Sequence, residues 1–198
     1  MLQPTRQALS AGYDVLPLAR SADGIRVVCP KLEKMRGDSL NSQDVEAAIN
    51  GADVVIQTLG VGLGDLFRPV HLFSVATRLL VAAMTRQGIN RLICVTGFGA
   101  GDSRSSIGRL QQIPFQLVFG RAYEDKSRQE RLINESLLDW TIVRPGVLTG
   151  GPRTARYKVL EEPSQWRNGI ISRSDVAHFL VRQIEDRSCV RKATVLIN

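Results

Sequence analysis

Leu2-Gln3-Pro4-Thr5-Arg6-Gln7-Ala8-Leu9-Ser10-Ala11, followed by Gly12-Tyr13-Asp14-Val15-Leu16-Pro17-Leu18-Ala19-Arg20, reads as the tail of a helix, a glycine turn and a short apolar strand from Asp14 to Ala19. The next apolar run, Asp53-Val54-Val55-Ile56-Gln57-Thr58-Leu59, is rich in β-branched residues and stops at Gly60. Between them, Asn41-Ser42-Gln43-Asp44 offers capping chemistry ahead of Val45, Ala48 and Ile49, and Asn50-Gly51 closes that helix. Helix, strand, helix, strand is the pattern this opening sets.

The rest of the chain repeats it. Leu72, Val75, Ala76, Leu79, Leu80, Ala83 and Met84 recur at helical spacing within residues Pro69 to Gly88, with Gly88 as the stop. Arg91-Leu92-Ile93-Cys94-Val95-Thr96 is a buried-type strand that ends in Gly97-Phe98-Gly99-Ala100-Gly101. A charged helix is expected from about Ala122 to Leu138, then a strand over Trp140-Thr141-Ile142-Val143-Arg144, broken by Pro145-Gly146. Ser172 and Asp175 stand at capping-box spacing before a last helix through Val176, Phe179, Leu180 and Ile184, and Thr194 to Ile197 can form a final strand. Thr149 to Gly169 lacks clear periodicity and is the natural excursion on the substrate side. Strands alternating with helices at these lengths predict an α/β fold, a doubly wound and mostly parallel sheet in a single domain over 1–198. Ligands of such sheets bind at the carboxyl ends of the strands, here Arg20, Gly60, Thr96-Gly97 and Pro145-Gly146.

Composition narrows the classes. The 198 residues are 43% hydrophobic and 23% charged, enough for one sizeable core. No apolar run approaches the roughly 18 residues of a membrane span, which predicts no membrane partner and a cytoplasmic protein. Three cysteines, Cys29, Cys94 and Cys189, are odd in number and lack metal-site spacing. The net charge of +7 is spread along the chain, and its densest stretch (Arg121, Lys126, Arg128, Arg131) is interleaved with Glu124, Asp125 and Glu130. That argues against nucleic acid and leaves phosphorylated small molecules as the anions such a field attracts.

Taken together, Arg20, Gly37-Asp38-Ser39-Leu40, Gly51-Ala52-Asp53-Val54-Val55, Leu59-Gly60, Arg91 to Thr96, Lys126 and Trp140 to Gly146 resemble the atypical short-chain dehydrogenase/reductases. Within that group the resemblance is to the NAD(P)H-binding, flavin reductase or biliverdin reductase B-like branch, with NmrA-like proteins as relatives. It implies a Rossmann-like fold and a nicotinamide dinucleotide as cofactor. Arg20 with Ser21 would meet the 2′-phosphate of NADP, and a guanidinium after the second strand suits a phosphate where a carboxylate suits NAD. Asp38 and Ser39 would flank the adenine, and Leu59-Gly60 would lie against the adenosine ribose. Thr96-Gly97 would line the nicotinamide half, with Lys126 near its ribose and Pro145-Gly146-Val147 close to the carboxamide. Lys126 and Thr96 are the candidate catalytic residues. Each has a plainer reading: Arg20 as a solvated strand end, Gly60 as an ordinary turn, Lys126 as a surface salt bridge.

The resemblance implies an NADPH-dependent oxidoreductase acting on a small conjugated acceptor such as a flavin, a quinone or a tetrapyrrole. Its alternatives are an NmrA-like redox sensor that binds dinucleotide without turnover, or an inactive remnant. Departures bear on the chemistry. Tyr123 precedes Lys126 by three residues where the standard enzymes space them by four, so Tyr123 is read as packing. His71 and His178, the only histidines, fall in helical segments and are read as structural. Gly60 to Asp65 and Gly97 to Asp102 are glycine-rich but place Asp where a phosphate loop needs its third glycine.

The same resemblance implies a strand and a glycine-rich loop ahead of Leu2. The chain is therefore expected to be a truncated product or one translated from a late start, lacking about a dozen residues, with one strand of about 5–6 among them. Two sheet edges would be left unsatisfied and dinucleotide affinity would fall; if the chain folds alone, a shift of the strand over Asp14–Ala19 into the vacancy is one way to satisfy them. The oligomeric state stays open.

Overall fold

The chain enters through α1 (Leu2–Ser10), which packs against a helix from the far end of the sequence, α5 (Arg173–Arg182). Gln7 fixes that contact by donating from Nε2 to the carbonyl of Ser174 at 2.8 Å. The structure is a computed structural model that describes residues 2–60, 71–106 and 123–198.

After α1 come two short strands, β1 (Leu18–Ala19) and β2 (Met35–Arg36), paired in parallel with Leu18 opposite Met35. The strand expected over Asp14–Ala19 is shorter than its apolar run, because Pro17 lacks an amide and only the bridge between Val15 and Leu32 extends the pairing. Helix α2 (Ser42–Ile49) is capped by Asn41, whose side chain accepts from the amides of Gln43 and Asp44. It leads into β3 (Val54–Gln57), and α3 (Leu72–Gln87) follows, ended by Gly88 at φ +71°. The start expected at Pro69 lies outside the described residues. Then come β4 (Arg91–Val95), α4 (123–134), β5 (Asp139–Pro145), β6 (Val147–Thr149), β7 (Lys158–Leu160), β8 (Ile170–Ser172), α5 and β9 (Lys192–Ile197).

The main sheet has the order β3-β4-β5-β9-β7, parallel except for the antiparallel β7. Alternation along its strands divides the core. Leu92, Cys94 and Ile142 face Val45, Leu80, Met84 and Ile133 of α2, α3 and α4, whereas Ile93 and Val143 face Val176, Phe179 and Leu180 of α5. Helices thus cover both faces, the doubly wound arrangement that the sequence pattern predicts.

Within the excursion from Thr149 to Gly169, whose sequence shows no clear periodicity, β7 adds to the sheet, and Leu160 and Trp166 pack with Phe98, Val195 and Ile197. One expectation is corrected: the first strand does not move beside β3. It stays on β2 in a separate two-stranded sheet, and β3 forms an edge of the main sheet among the described residues.

Candidate functional site

Four parallel strands bring their carboxyl ends to the expected residues, and the structure gathers these into two groups. The first rests on β4 and β5. The amide of Thr96 donates to the carbonyl of Val143 at 2.9 Å and that of Phe98 to Pro145 at 3.1 Å, so Thr96-Gly97 and Pro145-Gly146 run side by side. Helix α4 lies above them and directs Lys126 inward, where Nζ donates to the Thr96 carbonyl at 2.5 Å. The ammonium also sits 5.0 Å from the centre of the Phe73 ring and 5.6 Å from that of Tyr123. Burial pushes its pKa down to about 8, opposed by the negative charge of Glu130. Lys126 is therefore not the surface salt bridge that its acidic neighbours in the sequence suggest. A Cβ at Gly97 would stand 3.1 Å from Tyr123 Oη and 3.5 Å from Lys126 Nζ, so two side chains meet where glycine leaves room. Burial raises the Tyr123 phenol further above its ordinary value.

Beneath this point lies a buried ionic network that sequence reasoning missed. Arg144 and Glu130, each 2% exposed, are joined by Arg144 Nε to Glu130 Oε1 at 3.0 Å and Nη2 to Oε2 at 2.7 Å. Arg144 also reaches Asp102 at 2.5 Å and lies 4.7 Å over the Trp166 ring. Thr96 Oγ1 donates to Glu130 Oε1 at 2.6 Å, so the network holds the residue whose carbonyl holds Lys126. One signal was legible: a charged residue ending an otherwise apolar strand, and a glutamate four residues after Lys126 on one helix. Asp125 was also missed. Its carboxylate accepts from the amides of Phe73 and Ser74 and from Ser74 Oγ, capping α3 from α4.

The second group rests on β1 and β2. The Gly37 amide donates to the Ala19 carbonyl at 3.2 Å, which sets Arg20 and Asp38 at adjacent strand ends. Arg20 and Ser21 are exposed. Asp38 accepts from the Leu40 amide in a local turn and donates its own amide to Asp44. Ser39 and Leu59 line one cavity of about 660 Å³, and Gly60 is the last described residue before 61–70.

The glycines of the first group serve different needs. The turn from Gly97 to Gly101 spends its amides internally, Gly99 donating to Ser103 Oγ and Gly101 to Ser127 Oγ, which leaves no phosphate cradle there. The similar run from Gly60 to Asp65 lies mostly outside the described residues. At Gly146 a Cβ would stand 2.3 Å from the Gly169 carbonyl oxygen, so the absent side chain serves strand packing; Val147 beyond it is exposed. His71 precedes α3 at the surface, and His178 Nδ1 lies 2.9 Å from Tyr157 Oη. His71 is thus two residues from Phe73, whose ring lies beside Lys126 at the end of β4, whereas His178 stands on α5. Burial pushes the Cys94 thiol up, which leaves it inert.

The residues present suit a nicotinamide dinucleotide at both ends: a forked cation with a hydroxyl on the adenosine side, and a lysine and backbone groups beside a side-chain-free position on the nicotinamide side. Among the described residues no group of three or more His, Cys, Asp or Glu could hold a metal ion, and no helix is long and apolar enough to cross a membrane.

Comparison with known proteins agrees. A family model described as NAD(P)H-binding matches residues 3–187. An uncharacterised chloroplastic protein of Arabidopsis thaliana is 29% identical over 184 residues, which is 90% of this chain and 65% of that protein. The chain thus spans less than two thirds of that relative's length. In fold, the chain is similar to ChuY of Escherichia coli, described as an anaerobilin reductase (TM-score 0.81, 24% identity, 98% of this chain and 89% of that one). It is equally similar to a short-chain dehydrogenase/reductase of Veillonella parvula solved in complex with NADP (TM-score 0.82, 18% identity, 100% of this chain and 88% of that one).

Proposed function

Because this chain belongs to the NAD(P)H-binding family, we propose that it acts as an oxidoreductase, passing hydride from NADPH to a small, flat, conjugated acceptor. The observation that carries this reading is the placement of Lys126 Nζ on the Thr96 carbonyl beside Gly97, at the carboxyl end of a central strand. The cofactor, when bound, supplies the hydride. Lys126 binds and orients its ribose, Thr96 positions Lys126, and Gly97 lets a ring approach the backbone. Arg20 and Ser21 select the 2′-phosphate and so NADPH over NADH.

The acceptor side is apolar. Val147, Leu148 and Ile170, on the paired strands β6 and β8 just past Gly146, are exposed large hydrophobics, a surface suited to a planar conjugated ring. ChuY's description as an anaerobilin reductase is compatible with this acceptor class. A specific observation favours a second reading. Tyr123 lies three residues before Lys126, and burial raises its phenol pKa, which keeps it protonated but makes it a poorer acid and suits a sensor that binds dinucleotide without turnover.

NADPH oxidation in the presence of FMN, dichlorophenolindophenol or biliverdin distinguishes the two. The reductase reading expects turnover that falls at least tenfold in Lys126→Ala and a preference for NADPH that is lost in Arg20→Ala. NADPH binding with no turnover on any acceptor would replace it with the sensor.

A further inference from the structure

The face of the main sheet that α5 covers carries a second cluster of polar side chains, across the sheet from α4 and Lys126. Asp175, His178 and Arg182 follow one another at three and four residues on α5, so they share one face of that helix. The chain crosses this face just before it enters β7. Thr154 anchors the crossing: its amide donates to Asp175 Oδ1 at 2.7 Å and its hydroxyl to Oδ2 at 2.9 Å, and the Ala155 amide adds a bond of 2.8 Å. Ala155 takes φ +54° in this turn, a left-handed conformation unusual for alanine, which the bonds to Asp175 hold in place. Tyr157, two residues further on, lies 2.9 Å through its hydroxyl from His178 Nδ1 and packs its ring against His178 and Phe179.

Charge in this cluster does not balance. Arg153 and Arg182 are exposed, and neither enters an ion pair among the described residues. Two carboxylates lie near, and both are spent on other donors. Asp175 is buried and accepts from Ser172 Oγ at 2.9 Å besides the three bonds from Thr154 and Ala155. Asp186, beside Arg182, accepts from the Ser188 amide at 2.9 Å and from Gln183 Nε2 at 3.3 Å. Burial and the positive charge of Arg153 and Arg182 push the His178 pKa down, against the pull of Asp175. Donor and acceptor roles fix the tautomer. The Arg182 guanidinium lies beside the Tyr157 oxygen and can only donate to it, so Tyr157 donates to Nδ1 and the imidazole proton sits on Nε2. That nitrogen has no partner among the described residues. Two guanidinium groups and an N–H therefore meet with no carboxylate free to neutralise them.

We propose that Arg153, His178 and Arg182 form a binding site for a small tetrahedral dianion, of the phosphate or phosphate-monoester type, separate from the dinucleotide site. Each guanidinium offers a planar fork of donors that matches two oxygens of such a group, and Nε2–H supplies a further donor to a third. Two negative charges on one centre answer two arginines, which a single carboxylate does not. Bound dianion also favours the imidazolium form of His178, so binding strengthens as pH falls. The main sheet lies between this cluster and Lys126, and the site is independent of the proposed activity.

The test follows the His178 ring signals of the full chain by NMR, which reads this site alone, at constant ionic strength. Sulfate, which stays dianionic across the range, should shift these signals saturably and raise the His178 pKa by about one unit or more. Inorganic phosphate and phenyl phosphate are then titrated at one pH: tighter binding of the first identifies the free ion as the ligand, and of the second a phosphate monoester. Arg153→Ala and Arg182→Ala should each weaken sulfate binding about tenfold. Both arginines are exposed, so Tm should stay within about 2 °C of the parent. Arg131→Ala removes the same charge from the surface of α4 and should leave Kd within about twofold. Unmoved His178 signals, an equal shift with sodium chloride, or an equal loss in Arg131→Ala would overturn the proposal.

Discussion

Replacing Glu130 by Gln preserves shape and removes one charge from the buried network, so its cost isolates the ion pair. Glu130 and Arg144 are both 2% exposed, and removing one partner of such a pair leaves the other charge uncompensated, at about 3–5 kcal/mol. Two contacts soften the loss. Arg144 keeps Asp102, whose side chain is 69% exposed and therefore screened, and it keeps the Trp166 ring. The glutamine oxygen can still accept from Thr96 Oγ1, but its amide would confront Arg144 Nη2 donor to donor. The lower end of the range follows, about 3 kcal/mol, which for a chain of this size lowers Tm by about 6–12 °C. Urea denaturation at pH 7 should show a reduced midpoint with an unchanged slope. The same substitution has a second readout. Glu130 supports the charged form of Lys126, so without it the Lys126 pKa should fall below about 8. A cost under about 1 kcal/mol would refute the reasoning, because that is the worth of a solvated surface pair. The double variant Glu130→Leu/Arg144→Met should recover most of the loss.

Lys126 should react with an amine-modifying reagent with a half-maximal rate near pH 8, below the ordinary lysine value, when site-resolved labelling is followed by mass spectrometry against pH. The sign also bears on stability: a lysine whose pKa is depressed by folding opposes folding below about pH 8, and that penalty is relieved as pH rises toward its ordinary value, an effect Lys126→Met should abolish. Asp175 behaves oppositely. Burial alone would raise its pKa, but the amides of Ala155 and Thr154 and the hydroxyls of Ser172 and Thr154 outweigh it and hold the carboxyl below its usual range. Its contribution is present above the ordinary carboxylate range and lost as pH falls through the depressed value, so acid unfolding of Asp175→Ala should be less steep than that of the parent. Gly146→Ala should cost about 1–3 kcal/mol in urea denaturation, since the Gly169 backbone must give way.

The elements legible in the sequence were those with a local cause. α3 shows its apolar spacing and its stop at Gly88; Asn41 and Ser172 announce α2 and α5 by capping chemistry, and both caps are formed. β2 was not read as a strand, because Met35-Arg36 carries no alternation and its pairing with β1 comes from tertiary context. The charged run around Lys126 was legible only as a surface. α4 in fact splits it by face: Asp125 caps α3, Lys126 and Glu130 point into the fold, and Arg128 and Arg131 meet solvent. Helical spacing alone could have grouped Lys126 with Glu130, but nothing local says that the face is buried. Gly146 illustrates the converse. Its place in a recognisable motif suggests a cofactor contact, and the structure adds a constraint the motif does not reveal, the close approach of the Gly169 carbonyl.

The two halves of the candidate site rest on different supports, and that has a mechanical consequence. Lys126, Thr96, Gly97 and Pro145 stand on β4 and β5, inner strands of the five-stranded sheet, with a buried ion pair beneath them. Arg20 and Asp38 stand on β1 and β2, a two-stranded ribbon of two residues each, and such ribbons are marginal without further partners. The nicotinamide side is thus preorganised, while the phosphate-selecting side rests on a short ribbon whose amides should exchange with solvent faster than those of β4 and β5. Equal protection of the two in hydrogen exchange would show that the ribbon is held as firmly as the sheet, and Arg20 would then be as well placed before cofactor binds as Lys126.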